Sequence, residues 1–138
     1  MKMFRTLLLF SIVLLSLSNV LLAKNGFLVH ITSNDPHRVS MALTFAEKMS
    51  HDYDVFVYVD IDGVVAMLKD KESIRFKNFE ASRTLIDKLV KSGVQISVCK
   101  MCLEAHGHTQ YDLIAGLKIA EGKDFFGFTS GRIITIDY

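Results

Sequence analysis

Gly93-Val-Gln-Ile-Ser-Val-Cys99-Lys-Met-Cys102-Leu-Glu-Ala-His106-Gly107-His108 is the stretch from which the fold can be read. Val94, Ile96 and Val98 alternate with Gln95 and Ser97, the period of a β-strand. Leu103 opens the next periodic segment, which reads as a helix. Cys99 and Cys102 therefore fall in a strand-to-helix turn or in the first helical turn. Unpaired N–H groups and the positive end of a helix dipole collect there. Such surroundings favour a thiolate, and the thiolate is the nucleophilic form of cysteine. These are the chain's only two cysteines.

The same alternation of strand and helix extends in both directions. Upstream, Gly26 to Ile31 reads as a buried strand and Thr32 to Pro36 as turn chemistry. Asp35 is placed to cap a helix with Pro36 at its first position. Val39, Ala42, Leu43, Phe45, Ala46 and Met49 give that helix an apolar face. Asp54 to Val59 is a second strand, ending in the turn Asp60-Ile61-Asp62-Gly63. A short helix over Gly63 to Leu68 and a charged loop over Lys69 to Glu72 follow. Next comes a longer helix with Phe79, Arg83, Ile86 and Val90 on one stripe, widened by Leu85 and Leu89 and closed by Gly93. Downstream, Gln110 to Leu113 continues or ends a helix. Leu117 to Ala120 is a short strand, Asp124 to Phe128 a short helix, and Arg132 to Asp137 a terminal strand. Strands separated by helices predict an α/β domain: a mostly parallel sheet of about five strands with helices on both faces. In such sheets the functional crevice lies beyond the carboxyl ends of the strands. Thr32–His37, Asp60–Gly63 and Cys99–Cys102 all gather at that edge.

With 138 residues, one proline, no tryptophan and 50% hydrophobic residues, the composition suits one compact domain. Residues 24–138 form that domain. Met1 to Ala23 differ in kind: Lys2 and Arg5 make a basic start, and Leu7 to Ala23 carry no charge. This is the layout of a secretory signal peptide, although Leu21 is large for its place before a cleavage site. The alternative is an uncleaved N-terminal anchor, in which case this segment is the chain's only membrane contact. The apolar run is short of the roughly 20 residues of a comfortable span. Export implies a periplasmic or secreted protein. The 16 basic and 15 acidic side chains nearly cancel, which argues against a nucleic-acid partner. No serine–histidine–acid set, phosphate-binding glycine loop or paired-carboxylate motif is present.

Three chemistries fit the cysteine pair. A sulfur carrier needs one accessible thiolate, for which Cys99 is the candidate; Cys102 stands ready to resolve or shield it. A thiol–disulfide oxidoreductase cycles both between two redox states. A metal module could use Cys99, Cys102, His106 and His108, sulfur and nitrogen ligands that suit zinc or copper. Against it, the histidine spacing is too short for a finger and Gly107 interrupts the helix between them. No cofactor is called for. Lys100 is placed to stabilise a thiolate, and Glu104 to accept a proton unless it lies on a solvated face. Asp60 and Asp62 lie near the rim as site or turn residues, and His106 is divided between solvent and site. His30 reads as a packed or hydrogen-bonded strand residue, His37 and His51 as solvated. Phe125, Phe126 and Phe128 read as core or subunit contact.

From Gly26 to Tyr138 the sequence resembles the DsrE/DsrF/TusD sulfur-relay family, the DsrE-like proteins. The resemblance rests on the opening strand, turn and helix of Phe27 to Met49 and on Asp62-Gly63-Val64 after the second strand. It rests most on Val98-Cys99 followed, at the family's usual interval, by Gly107. It implies a flavodoxin-like fold, a homotrimer or larger assembly such as a hexamer, and donor and acceptor proteins that exchange persulfide sulfur. On this match Cys99 falls where the family carries its sulfur. Cys102 is not required by the simple carriers, and an export signal departs from a family best known in the cytoplasm. In an oxidising compartment the pair can close into a disulfide.

Overall fold

The computed structural model describes residues 24–138, so the leader expected over Met1–Ala23 lies outside the described residues. Five strands form one sheet: β1 (Gly26–Ile31), β2 (Asp54–Val59), β3 (Gln95–Val98), β4 (Lys118–Ile119) and β5 (Ile133–Asp137). Their order is β4-β3-β2-β1-β5, and every pairing is parallel. The helices are α1 (Pro36–Met49), α2 (Ser82–Lys91), α3 (Lys100–Ala105) and α4 (Asp124–Gly127), with 3-10 turns over Ile61–Met67 and Gln110–Asp112. The expected α/β architecture is thus present, with a sheet that is parallel throughout.

The alternation within each strand sorts its side chains between two faces. Val29 and Ile31 of β1, Val55, Val57 and Val59 of β2, and Ile96 and Val98 of β3 share one buried cluster. Against them lie Val39, Ala42, Leu43 and Ala46 of α1 and Leu85, Ile86 and Leu89 of α2. Each valine, leucine or isoleucine among them contributes about 1.5–3 kcal/mol when fully buried. The opposite face is covered differently. Phe56 and Tyr58 point to it and meet the segment that runs from β4 across to β5. Phe125 packs edge-on against Phe56 at 5.4 Å and against Tyr58 at 4.8 Å, and Phe128 lies 5.6 Å from Phe56. Phe125 and Phe128 are therefore half-buried and cover this face of the sheet, whereas Phe126 is exposed.

Local chemistry matches the helix signals. Asp35 accepts the His37 and Arg38 N–H groups at 3.0 Å each, ahead of Pro36. Gly93 takes a left-handed conformation after α2, φ +84°. Two details depart from the sequence reading. α2 begins only at Ser82, because Phe79 sits in the preceding turn, where its ring faces Phe76 and His37. His37 stays exposed, as the sequence suggests, with its ring stacked on Phe76 at 4.4 Å. Arg83 does not pack in an apolar stripe; its guanidinium donates to the carbonyls of Leu68 and Lys71 at 2.5 and 2.7 Å and ties down the charged loop.

The hydrogen-bond ladders run past the strand ends at the carboxyl edge. Asp60 N–H donates to the Ile31 carbonyl at 3.0 Å, Cys99 N–H to Val59 at 2.8 Å and Thr32 N–H to Tyr138 at 2.9 Å. The three turns singled out in the sequence are thereby fixed to one rim.

Candidate functional site

Cys99 is the first residue past β3. Its backbone is anchored on the end of β2, and it occupies the cap position of α3 with extended φ and ψ. From there its sulfur accepts the Cys102 N–H at 3.3 Å. The Cys102 thiol lies against it, Sγ to Sγ 2.6 Å, and donates to it. Both cysteines are free and half-buried.

The strand alternation that buries Val59 and Val98 turns Tyr58 and Cys99 to the other side of the sheet edge. The Tyr58 phenol is pushed well above its usual range, first by burial, then by its hydrogen bond and electrostatic repulsion with Cys99. A phenol so held stays protonated and donates. Cys102 is shifted upward too, first by burial and then by its hydrogen bond to Cys99. The Ile61 N–H, aimed at the Cys102 sulfur, opposes this, and the charges of Cys99 and Asp60 add to it. Cys102 therefore rests as a thiol, and Cys99 is the sulfur on which hydrogen-bond donors converge.

Ile61, whose N–H opposes the rise at Cys102, has a left-handed backbone, φ +46°. That conformation is a genuine outlier for a β-branched residue and costs on the order of 1–2 kcal/mol. The next turn holds it in place: Gly63 N–H donates to Thr32 at 3.2 Å and Asp60 at 2.9 Å. A Cβ on Gly63 would stand 2.5 Å from the Ile31 carbonyl oxygen, so only glycine lets this turn lie on the sheet.

A second polar group lies behind Tyr58. His30 stacks on the Tyr58 ring, centroids 5.3 Å apart. Its Nδ1 is 2.7 Å from Asp137 Oδ1. Its Nε2 is 3.0 Å from Asp60 Oδ1. The latter contact is close but poorly aligned for a hydrogen bond, so both buried atoms lack a well-directed partner. His30 thus ties the ends of β1, β2 and β5 together. On the outer side, His106 Nε2 approaches Asp62 Oδ1 at 3.3 Å and joins the end of α3 to the 3-10 turn.

The sequence-derived candidates therefore divide. Cys99, Cys102 and Asp60 come together, while Asp62 meets His106 on the outer rim. Lys100 and Glu104 form an exposed pair at 3.7 Å on the outer surface of α3, which makes Glu104 a solvated side chain. Among the described residues no three His, Cys, Asp or Glu side chains gather as a metal-holding group. Cys99, Cys102, His106 and His108 are not brought around one point: His106 turns to Asp62 and the chain reverses at Gly107, φ +76°. Tyr58, His30 and Ile61 are site residues that spacing did not reveal. The signal for Tyr58 was present, since a parallel neighbour strand places Tyr58 beside Ser97 and so on the Cys99 side.

A cleft of about 590 Å³ follows the β4 edge between Gln95, Tyr111, Lys118 and Asp124. A smaller one, about 230 Å³, lies between Lys100, Glu104 and Tyr111. Neither includes a cysteine. The pair sits instead on an open rim, flanked by the exposed apolar side chains of Ile61 and Met101.

The DsrE/DsrF-like family model matches residues 26–132, and the chain belongs to that family. Two solved structures share the fold. A protein of unknown function, MTH1491 from Methanobacterium thermoautotrophicum, superposes with a TM-score of 0.62 at 19% identity, covering 82% of this chain and 99% of that one. The ychN protein from E. coli superposes with a TM-score of 0.57 at 19% identity, covering 83% and 100%. No curated protein sequence matches the chain. Family membership suggests a role in sulfur relay.

Proposed function

We propose that this protein carries sulfane sulfur as a persulfide on Cys99 and hands it to the thiol of a partner protein. The observation that supports this most is a half-exposed Cys99 sulfur at the open end of a parallel sheet, accepting the Cys102 N–H with the Cys102 sulfur 2.6 Å away. The Cys99 thiolate attacks the terminal sulfur of a donor persulfide, R–S–SH. The S–S bond of the donor breaks, R–S⁻ leaves, and Cys99–S–SH remains. The acceptor thiolate then takes the terminal sulfur and Cys99 leaves as thiolate. The sulfane sulfur changes hands with no outside oxidant or reductant. We further propose that the leader directs the chain to the periplasm or outside the cell, and that the domain works as a trimer or hexamer.

The test is incubation with inorganic polysulfide, rapid trapping with an alkylating agent and intact-mass measurement. The expected result is one added sulfur mapped to Cys99 and absent from Cys99→Ser; a chain whose Cys99 stays unmodified overturns the reading. Cell fractionation checks export, with mature protein lacking Met1–Ala23 expected outside the cytoplasm. The second reading, a thiol–disulfide oxidoreductase, is favoured by the direct S–H···S contact of the pair. It predicts cycling with dithiol reductants and no uptake of sulfur.

A further inference from the structure

We infer that Cys102 discharges the Cys99 persulfide within the chain, releasing the sulfur as hydrosulfide and leaving a Cys99–Cys102 disulfide. This rests on the persulfide reading above and adds a second fate for the bound sulfur, one that needs no acceptor protein.

The sulfurs face each other at 2.6 Å with nothing between them, and the backbone that carries both is fixed by the Cys99 N–H bond to Val59 and by the α3 cap. A sulfur added to Cys99 must extend away from Cys102, because that side is already filled. This leaves Cys102 behind the inner sulfur, the approach that thiol–disulfide exchange requires. In the step, the Cys102 thiolate attacks Cys99 Sγ and a Cys102–Cys99 S–S bond forms. The bond from Cys99 to the outer sulfur breaks, and that sulfur leaves with the electron pair as HS⁻. The sulfane sulfur is reduced to sulfide and the two cysteines are oxidised to a disulfide, so the step balances by itself. A dithiol reductant restores the pair for another cycle. Two features of the rim serve this step. The strained Ile61 turn aims its N–H at the Cys102 sulfur, where it stabilises the attacking thiolate. The Tyr58 hydroxyl stays protonated beside Cys99.

The rate has a built-in pH dependence. Cys102 is faced by Cys99 in its own turn, by Tyr58 and Asp60 at the end of β2, and by the Ile61 N–H; His30 with Asp137, and the His106–Asp62 pair, lie beyond. Burial and the neighbouring negative charges hold Cys102 in its thiol form, and Tyr58 does not ionise before it. Hydrosulfide release therefore accelerates as pH rises and Cys102 deprotonates.

The experiment loads wild-type protein and Cys102→Ser with inorganic polysulfide, removes the excess by desalting, and follows free sulfide and intact mass with time. In the wild type, one equivalent of sulfide per loaded chain is expected, with a final mass two hydrogens below that of the dithiol, faster at higher pH. In Cys102→Ser the persulfide is expected to outlast that of the wild type by on the order of tenfold or more, as loss of an intramolecular nucleophile demands. Equal lifetimes, or a wild-type rate that does not rise with pH, overturn the inference and leave the carrier reading intact. Failure of Cys102→Ser to take up any sulfur on Cys99 overturns both. Should that variant not fold, the pH profile and final mass of the wild type decide alone.

Discussion

Tyr58 and Ile61 show how much of this site is made by residues without nucleophilic chemistry of their own. Tyr58→Phe keeps the ring between His30 and Phe125 and deletes only the donor to Cys99. A net hydrogen bond is worth about 0.5–1.5 kcal/mol, so alkylation of Cys99 by iodoacetamide at neutral pH is expected to slow about two- to tenfold with the fold unchanged. Ile61→Gly tests the left-handed backbone. Removing the Cβ clash gains about 1–2 kcal/mol, against about 0.5–1 kcal/mol for the added flexibility of glycine in the unfolded chain. Ile61 is 57% exposed, so little packing is lost. Urea denaturation is expected to show stability equal to or slightly above the wild type, where the same truncation at a buried isoleucine would be severe. At this scale the sequence disclosed the candidate nucleophile but not its surroundings. Cys99 and Cys102 are legible because strand alternation stops at Val98 and a helix begins within a turn. His30 was readable as a hydrogen-bonded strand residue. Its two carboxylate neighbours were not, since Asp137 lies on a strand whose pairing with β1 no local pattern announces.

Among the elements, the turn after β2 does most to shape the rim. It brings Asp60, Ile61 and Asp62 beside α3, and it can do so only while Gly63 lies flat on the end of β1. Gly63→Ala forces a methyl group against a backbone oxygen that cannot step aside. A cost of about 1–3 kcal/mol is expected in chemical denaturation, together with altered reactivity of Cys102 as the Ile61 N–H moves off its sulfur. The helices and strands themselves were largely visible in the sequence. β1, α1, β2 and β3 carry strong apolar periods and clear stop signals, and Asp35-Pro36 marks the start of α1. The weaker parts were β4, only Lys118–Ile119, and the origin of α2, which the sequence pattern places too early. Phe79 matches the helical stripe in spacing but belongs to an aromatic cluster with Phe76 and His37, a tertiary contact that periodicity cannot distinguish from helix.

For the whole molecule, the ionisable groups of the site couple chemistry to stability. Tyr58, Tyr138 and Cys102 all lose their protons less readily in the folded chain than their ordinary values of 10.0 and 9.0. The unfolded chain therefore deprotonates first. Their contribution is fully present below about pH 9 and is lost as pH rises past the ordinary cysteine and tyrosine values. Thermal unfolding followed at stepwise alkaline pH is expected to show a falling midpoint over that range, with a shallower fall in Cys102→Ala. The sheet order has another consequence, for synthesis. The partner of β1 on its outer side is β5, whose Asp137 meets His30 across a separation of 107 residues. While the polypeptide is being made, the first strand to emerge waits with one edge bare until the last has been added. An unsatisfied edge of that kind invites pairing with a neighbouring copy. Nascent chains that stall before Ile133 are the ones expected to clump, and those that complete β5 close the edge themselves.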